Sequence, residues 1–208
     1  MAAGPHSPSP RRITVGVMGG SYNPPHNGHI AVARAVIAAG LAERVMLVLS
    51  PQNPLKAADS AMAPDAERME MLRLAVAGEP GLEASDIELS MPRPSYTAAT
   101  LRRLVAEHPD CRFRLIIGGD NWAIFDRWRE SGFITANFSP IVYPRPGSVL
   151  TGEGADLLEG MPEFDVSSTE VRRRIAAGES VDGLLPSAVV NYITAHGLYT
   201  NNKKPYTP

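Results

Sequence analysis

Ile13-Thr14-Val15-Gly16-Val17-Met18 runs into Gly19-Gly20-Ser21-Tyr22-Asn23-Pro24-Pro25-His26-Asn27-Gly28-His29, and this stretch decides the fold. The run at 13–18 is short, apolar and carries β-branched residues, and it stops at two glycines, so it reads as a buried strand. Residues 28–39 have helical composition and close with Gly40 as a C-cap. Strand, glycine turn and helix make the first unit of an α/β sheet. Two imidazoles three apart at a helix start lie on one side of it, and the unpaired N–H groups there add positive potential. That arrangement suits a phosphate chain. Neither G-x-G-x-x-G nor G-x-x-x-x-G-K-[ST] is present, so the dinucleotide and P-loop fingerprints do not apply. A zinc site would need a third ligand at fitting spacing, and none is evident.

Outward from this stretch, strands and helices alternate. The pattern predicts a buried strand over 44–49, ended by Pro51. A helix follows with Pro64 at its first position, Asp65 and Glu67 at its positive end and Gly78 as its stop. Ser95 or Thr97 caps a helix to about His108, and a third central strand spans 112–117 and ends at Gly118-Gly119. A fourth strand is predicted over 141–143 and a short fifth over 164–166. Ser167 or Ser168 caps a helix to Ala177 with Gly178 beyond, and a last helix runs from Ser187 to His196 and ends at Gly197. The predicted class is therefore α/β, a doubly wound Rossmann-like parallel sheet with helices on both faces. Residues 13–199 read as one domain between a loose head (1–12) and tail (200–208). Ligands in such sheets bind at the carboxyl ends of the strands where their order reverses, which singles out Gly19-Gly20 and Gly118-Gly119.

The chain has 208 residues, 44% hydrophobic and 20% charged, with a net charge of −2. Against about 150 residues per domain that is one domain, and the globular composition excludes wholesale disorder. The charge balance carries no whole-domain footprint for nucleic acid or an anionic membrane. A single cysteine, Cys111, excludes an internal disulfide and fits a reducing compartment. Residues 1–10 have no apolar core of a secretory signal, and the uncharged stretch 13–33 is interrupted by glycines, prolines and histidines, so no membrane span is predicted. The expected location is cytoplasmic, and a homo-oligomer is compatible with the composition.

Three further segments carry chemistry. In Val166-Ser167-Ser168-Thr169-Glu170-Val171-Arg172, hydroxyls and free N–H groups at a helix start can hold phosphate oxygens, and Arg172 lies one turn in with a planar fork. The plainer reading is a serine cap before a solvated arginine face. In Ile117-Gly118-Gly119-Asp120-Asn121-Trp122 the glycines leave room for a ligand and Asp120 can accept from ribose hydroxyls, or cap the next helix. Pro92-Arg93-Pro94-Ser95-Tyr96-Thr97 opens a helix whose unpaired N–H groups would meet an anionic group. In Pro51-Gln52-Asn53-Pro54-Leu55-Lys56, Lys56 either reaches a phosphate or is a solvated lysine.

These segments together resemble the nucleotidyltransferase superfamily with the His-x-Gly-His signature, and the longer form Gly-Gly-Ser-Tyr-Asn-Pro-Pro-His-Asn-Gly-His is similar to the bacterial nicotinate-nucleotide adenylyltransferases. That family usually carries Phe-Asp where this chain has Tyr22-Asn23, so position 23 is given no essential role. The resemblance covers residues 13 to about 199. It implies ATP binding by Gly19, Gly20, Ser21, His26, His29, Gly118, Asp120, Ser168, Thr169 and Arg172. It implies a nicotinate mononucleotide site built by Asn53, Lys56, Tyr96, Thr97 and Trp128, with Trp128 stacked on the pyridine ring and the carboxylate read partly by backbone. Trp122 points about 120° away from Trp128 on a helical wheel and is expected to be structural.

The expected reaction is transfer of the adenylyl group of ATP to nicotinate mononucleotide, giving deamido-NAD and pyrophosphate, by in-line attack of the mononucleotide phosphate on the α-phosphorus. His26, His29 and Arg172 are expected to be catalytic through charge stabilisation. Mg²⁺ is expected to travel with ATP, because no carboxylate cluster is evident to cage it. Pro-Ser-Tyr-Thr and the tryptophan pair argue against a phosphopantetheine or cytidylyl substrate. A nucleotide sensor without turnover is the rival from another class. An RNA-binding role is disfavoured by charge, length and the lack of a Lys-Met-Ser-Lys-Ser-type loop.

Overall fold

The computed structural model describes residues 11–51, 62–148, 154–160 and 166–200. Most of the head and tail expected at 1–12 and 200–208 therefore lies outside the described residues, as do Asn53 and Lys56.

In chain order the elements are β1 (Ile13–Gly20), α1 (Asn27–Ala38), β2 (Arg44–Leu49), α2 (Asp65–Val76), β3 (Leu82–Ser85), α3 (Thr97–Glu107), β4 (Cys111–Gly118), α4 (Gly119–Trp122), α5 (Ser131–Phe138), β5 (Ile141–Tyr143), β6 (Asp156–Leu157), α6 (Ser168–Ala177) and α7 (Ser187–His196). Short 3₁₀ turns occupy Ile87–Ser90 and Phe125–Arg127. The strands form one parallel sheet in the order β3-β2-β1-β4-β5-β6. This is the doubly wound order, and it reverses between β1 and β4. The two glycine-rich strand ends are therefore neighbours, with Met18 paired to Ile116 just before them.

Alternation along each strand feeds two cores. Val15 and Val17, Met46 and Val48, and Phe113, Leu115 and Ile117 face the side covered by α3 and α5. Met18, Val45, Leu47, Leu49 and Ile116 face the side covered by α1, α2, α6 and α7. Gly16 belongs to this packing, because a Cβ there would lie 2.6 Å from Ile116 Cδ1. Among the described residues no helix is long and apolar enough to cross a membrane.

Several expected details change. Pro64 is the cap residue of α2 and not its first helical residue. Neither Ser95 nor Thr97 caps α3; its cap position is Tyr96, with no side-chain cap bond, and the Ser95 hydroxyl is turned onto Glu88. Asp120 does not cap α4 either, since it lies inside the helix and Gly118 holds the cap position. Of the fifth strand expected over 164–166, residues 164–165 lie outside the described residues and Val166 is coil. The strand beside β5 is instead Asp156–Leu157. It is tied down by the mostly buried Arg114, which donates to the carbonyls of Ser139 (2.9 Å) and Leu41 (3.1 Å) and pairs with Asp156.

Candidate active site

The loop after β1 is built around a buried tyrosine. Tyr22 takes a left-handed backbone (φ 43°), and its hydroxyl donates to the Met18 carbonyl at 2.6 Å. Its ring lies over Gly20, where a Cβ would come within 3.0 Å of it. Gly19 differs: a Cβ there would meet only Ser50 Oγ, at 3.9 Å. Gly20 is thus required by the loop's own packing, whereas the space at Gly19 is left for something else.

His26 occupies the cap position of α1 and His29 its first turn, and the rings stack with centroids 3.6 Å apart. The His26 N–H donates to His29 Nδ1 at 3.1 Å, which leaves the His29 proton on Nε2. Tyr22 meets His29 edge-on. Burial, followed by the charge of Arg145, pushes His26 down to about 3, and His29 is lowered by burial, by His26 and by Arg145. Both imidazoles are neutral at pH 7. The N–H groups expected to face a phosphate are partly used: Asn27 N–H donates to the Leu184 carbonyl at 2.8 Å and His29 N–H to that of His26 at 2.9 Å.

At the start of α6, Ser167 is the cap, accepting from the Glu170 N–H at 3.2 Å. The Ser168 hydroxyl donates to the Pro24 carbonyl and Arg172 Nη1 to the Asn23 carbonyl, each at 2.9 Å. Arg173 and Arg174 pair instead with Glu170, so Arg172 is the member of the arginine run that turns to the loop. Thr169 is exposed on the first turn.

A cavity of about 300 Å³ opens at the carboxyl ends of β1 and β4. It brings together Gly19, Gly20, Ser21 and Gly118 on the sheet side with Tyr96, Thr97 and Trp128 opposite. His26 and His29 line a smaller cleft beside it, with Gly28 and Arg145, and Tyr143 borders both spaces. Asp120 lines neither; it stands at the rim, its carboxylate 3.9 Å from Arg145, and folds back over Gly118, where a Cβ would lie 2.6 Å from Asp120 Oδ1. Ser168, Thr169 and Arg172 also line neither and sit behind the loop. The Trp128 indole N–H is buried and makes no hydrogen bond among the described residues. Trp122 stacks on Phe125, in keeping with a packing role.

Three residues escaped the sequence reading. Arg145 follows the end of β5, where attention to strand ends could have found it. Glu88 is buried on the cavity wall. Arg68, on α2, has no exposed side chain and donates to the carbonyls of Ser21 (2.6 Å), Ser50 (3.0 Å) and Ala63 (3.1 Å) and to Asp65. It ties the loops after β1 and β2 to α2, and its helical position looks solvated from sequence alone.

A doubly wound sheet with paired imidazoles and an apolar cavity at its switch point defines a nucleotide-binding α/β domain. Residues 17–174 match the cytidylyltransferase-like family. The chain is 39% identical over 187 residues to a probable nicotinate-nucleotide adenylyltransferase of Bacteroides fragilis, covering 88% of this chain and 92% of that protein. It is also 39% identical to a protein of that name from Roseiflexus sp., covering 89% and 97%. In fold it is similar to a Plasmodium falciparum nicotinic acid mononucleotide adenylyltransferase complexed with NaAD (TM-score 0.75, 16% identity, 90% of this chain and 97% of that one). A putative nicotinate-nucleotide adenylyltransferase from Vibrio parahaemolyticus gives a TM-score of 0.67 at 19% identity over 91% and 97%. The chain belongs to the cytidylyltransferase-like family and, within it, to the nicotinate-nucleotide adenylyltransferases.

Proposed function

We propose that this protein transfers the adenylyl group of ATP to nicotinate mononucleotide, releasing pyrophosphate and forming deamido-NAD in NAD biosynthesis. The observation that carries the reading is the cavity at the β1/β4 switch point. On one side of it stand the N-terminus of α3 and Trp128, suited to an acidic aromatic ring, and beside it stand the paired histidines, suited to a phosphate chain. The buried indole N–H, without a hydrogen-bond partner among the described residues, fits a group whose acceptor arrives with a ligand. The relatives named above share the assignment.

The mononucleotide phosphate is already anionic at pH 7 and needs no protein base. One of its oxygens attacks the α-phosphorus, the bond from that phosphorus to the bridging oxygen of pyrophosphate breaks, and the electron pair leaves with pyrophosphate. The protein's contribution is alignment and charge stabilisation. The neutral His29 donates from Nε2, and His26 stacks behind it. Arg172 adds positive charge beside the loop, and Arg145 adds a second on the histidine side. Gly19 gives the phosphates close approach, and Asp120 at the rim accepts from ribose. Mg²⁺ is carried in on the ATP oxygens; among the described residues no group of three carboxylate, imidazole or thiolate side chains offers it a cage. Asn53 and Lys56, which lie outside the described residues, keep the mononucleotide role that the resemblance implies, and the reaction is assigned to the cytoplasm.

A pyrophosphate-release assay across nicotinate mononucleotide, its amide and phosphopantetheine tests the reading. Turnover with the first supports it. Turnover with phosphopantetheine alone, or with none of them, contradicts it.

A further inference from the structure

Glu88 lies in the 3₁₀ turn Ile87–Ser90 after β3, only 6% exposed, on the wall of the main cavity. A desolvated carboxylate is costly unless its oxygens are held by donors. Both are held, and both donors flank the start of one helix. Oε2 accepts from the Ser95 hydroxyl at 2.6 Å, and Oε1 accepts from the Thr100 hydroxyl at 2.9 Å. Ser95 lies two residues before α3 and Thr100 lies in its first turn, so the two bonds straddle Thr97. Hydrogen bonds from a hydroxyl to a carboxylate oxygen are short and strong.

The cap position of α3 belongs to Tyr96, which has no side-chain cap bond, and Ser95 stands one residue before it with its hydroxyl donating to Glu88. The N-terminus of α3 is thus held from the side and not across its open end. In the first turn the Ala99 and Thr100 N–H groups donate to the Tyr96 carbonyl (2.8 and 3.1 Å), so the N–H groups left at the cavity end are those of Thr97 and Ala98.

We infer that Glu88 is a positioning residue for the acidic ring substituent of the mononucleotide: it fixes the Ser95–Thr100 segment and so sets where the helix donors meet the ligand. The inference rests on the proposed function. It also runs against simple charge counting. A carboxylate in the wall of a site for an anion repels that anion, so removing its charge alone should tighten binding. If Glu88 acts by positioning, removing it weakens binding instead.

The experiment is steady-state kinetics of Glu88→Gln, Thr100→Val and Thr100→Ser beside the unmodified enzyme, with nicotinate mononucleotide, its amide and ATP varied in turn. Glu88→Gln is expected to raise KM for the acid about 10-fold or more, to lower the acid-to-amide preference by a similar factor, and to leave KM for ATP within about 2-fold. Thr100→Val, which keeps the shape and removes one donor, moves the same two quantities in the same direction. Thr100→Ser, which keeps the hydroxyl, stays near the unmodified enzyme, and this pair carries the test if Glu88→Gln does not fold. The inference is overturned if Glu88→Gln binds the acid as well or better, or if the KM for ATP rises as much as that for the acid. An unmodified enzyme that turns over the acid beside unaffected variants overturns the role of Glu88 alone. An unmodified enzyme inert toward every mononucleotide overturns the functional reading and this inference with it.

Discussion

The hydroxyl of Tyr199 donates to Oδ1 of Asn23 at 2.7 Å, across 176 residues of sequence. The same oxygen accepts the Ala63 N–H at 3.0 Å, and the Asn23 backbone carbonyl accepts from Arg172. The loop carrying His26 and His29 is therefore tied to the entry of α2, to α6 and to the segment beyond α7. Position 23, given no essential role from sequence, is a buried junction: what it supplies is a carbonyl-type oxygen, which the asparagine here provides.

Tyr199→Phe removes one donor to that oxygen. The expected loss is about 1 kcal/mol of stability, the usual scale for a hydrogen bond of this kind. Because the histidine loop loses a tether, kcat/KM should also fall. Denaturant melts paired with kinetics check both; unchanged melts would mean that the bond contributes nothing.

The two histidines set a pH dependence. Both are neutral when folded, whereas in the unfolded chain they protonate near the ordinary value of about 6.5. Below that pH the unfolded state binds more protons, so the stability they confer is complete above about 6.5 and is lost as pH falls, for His26 down to about 3 and for His29 in the same direction. The slope reaches about 1.4 kcal/mol per pH unit for each histidine. His29→Ala should flatten this slope between pH 6 and 4, read by melts at stepped pH, and should lower kcat by about 100-fold or more. A slope equal to that of the unmodified protein would contradict the neutral, buried assignment.

Arg172→Lys is expected to fail as a conservative change. The guanidinium reaches the Asn23 carbonyl through Nη1 while presenting a planar fork, and an ammonium has a single centre. The expected outcome is a fall in kcat/KM for ATP of about 30-fold or more with little change in melting. Near-full activity in the lysine variant would reduce Arg172 to a diffuse positive charge.

The legible parts of the chain are those with local signals. β2 and α7 occur over the predicted residues, because unbroken apolar runs and a terminal glycine in the left-handed conformation mark them. β3 was not legible: Leu-Glu-Ala-Ser is short and mixed, and as the edge strand it pairs on one side only. α5 was missed because it starts after Glu130 and stops at Ser139, both left-handed without being glycine. The histidine pair and the glycine turns were visible as motifs. Glu88 and Arg68 were not, because a buried charged residue looks solvated until the fold supplies its partners, and the partly exposed Arg145 lies past a strand end that the sequence marks only weakly. From sequence Ser168 and Arg172 read as phosphate ligands, whereas in the fold they donate to the Pro24 and Asn23 carbonyls, which no local signal marks.

The central claim is an acid-selective site at the start of α3 and beside Trp128. A carboxylate accepts at both oxygens, whereas a carboxamide turns an N–H₂ toward one of the donors. A mismatch of that kind costs about 1–3 kcal/mol, more where a charge-assisted bond is lost. The most direct measurement is kcat/KM for nicotinate mononucleotide and for its amide under identical conditions. The account predicts a preference for the acid of about 100-fold or more. Equal specificity constants for the two would contradict it.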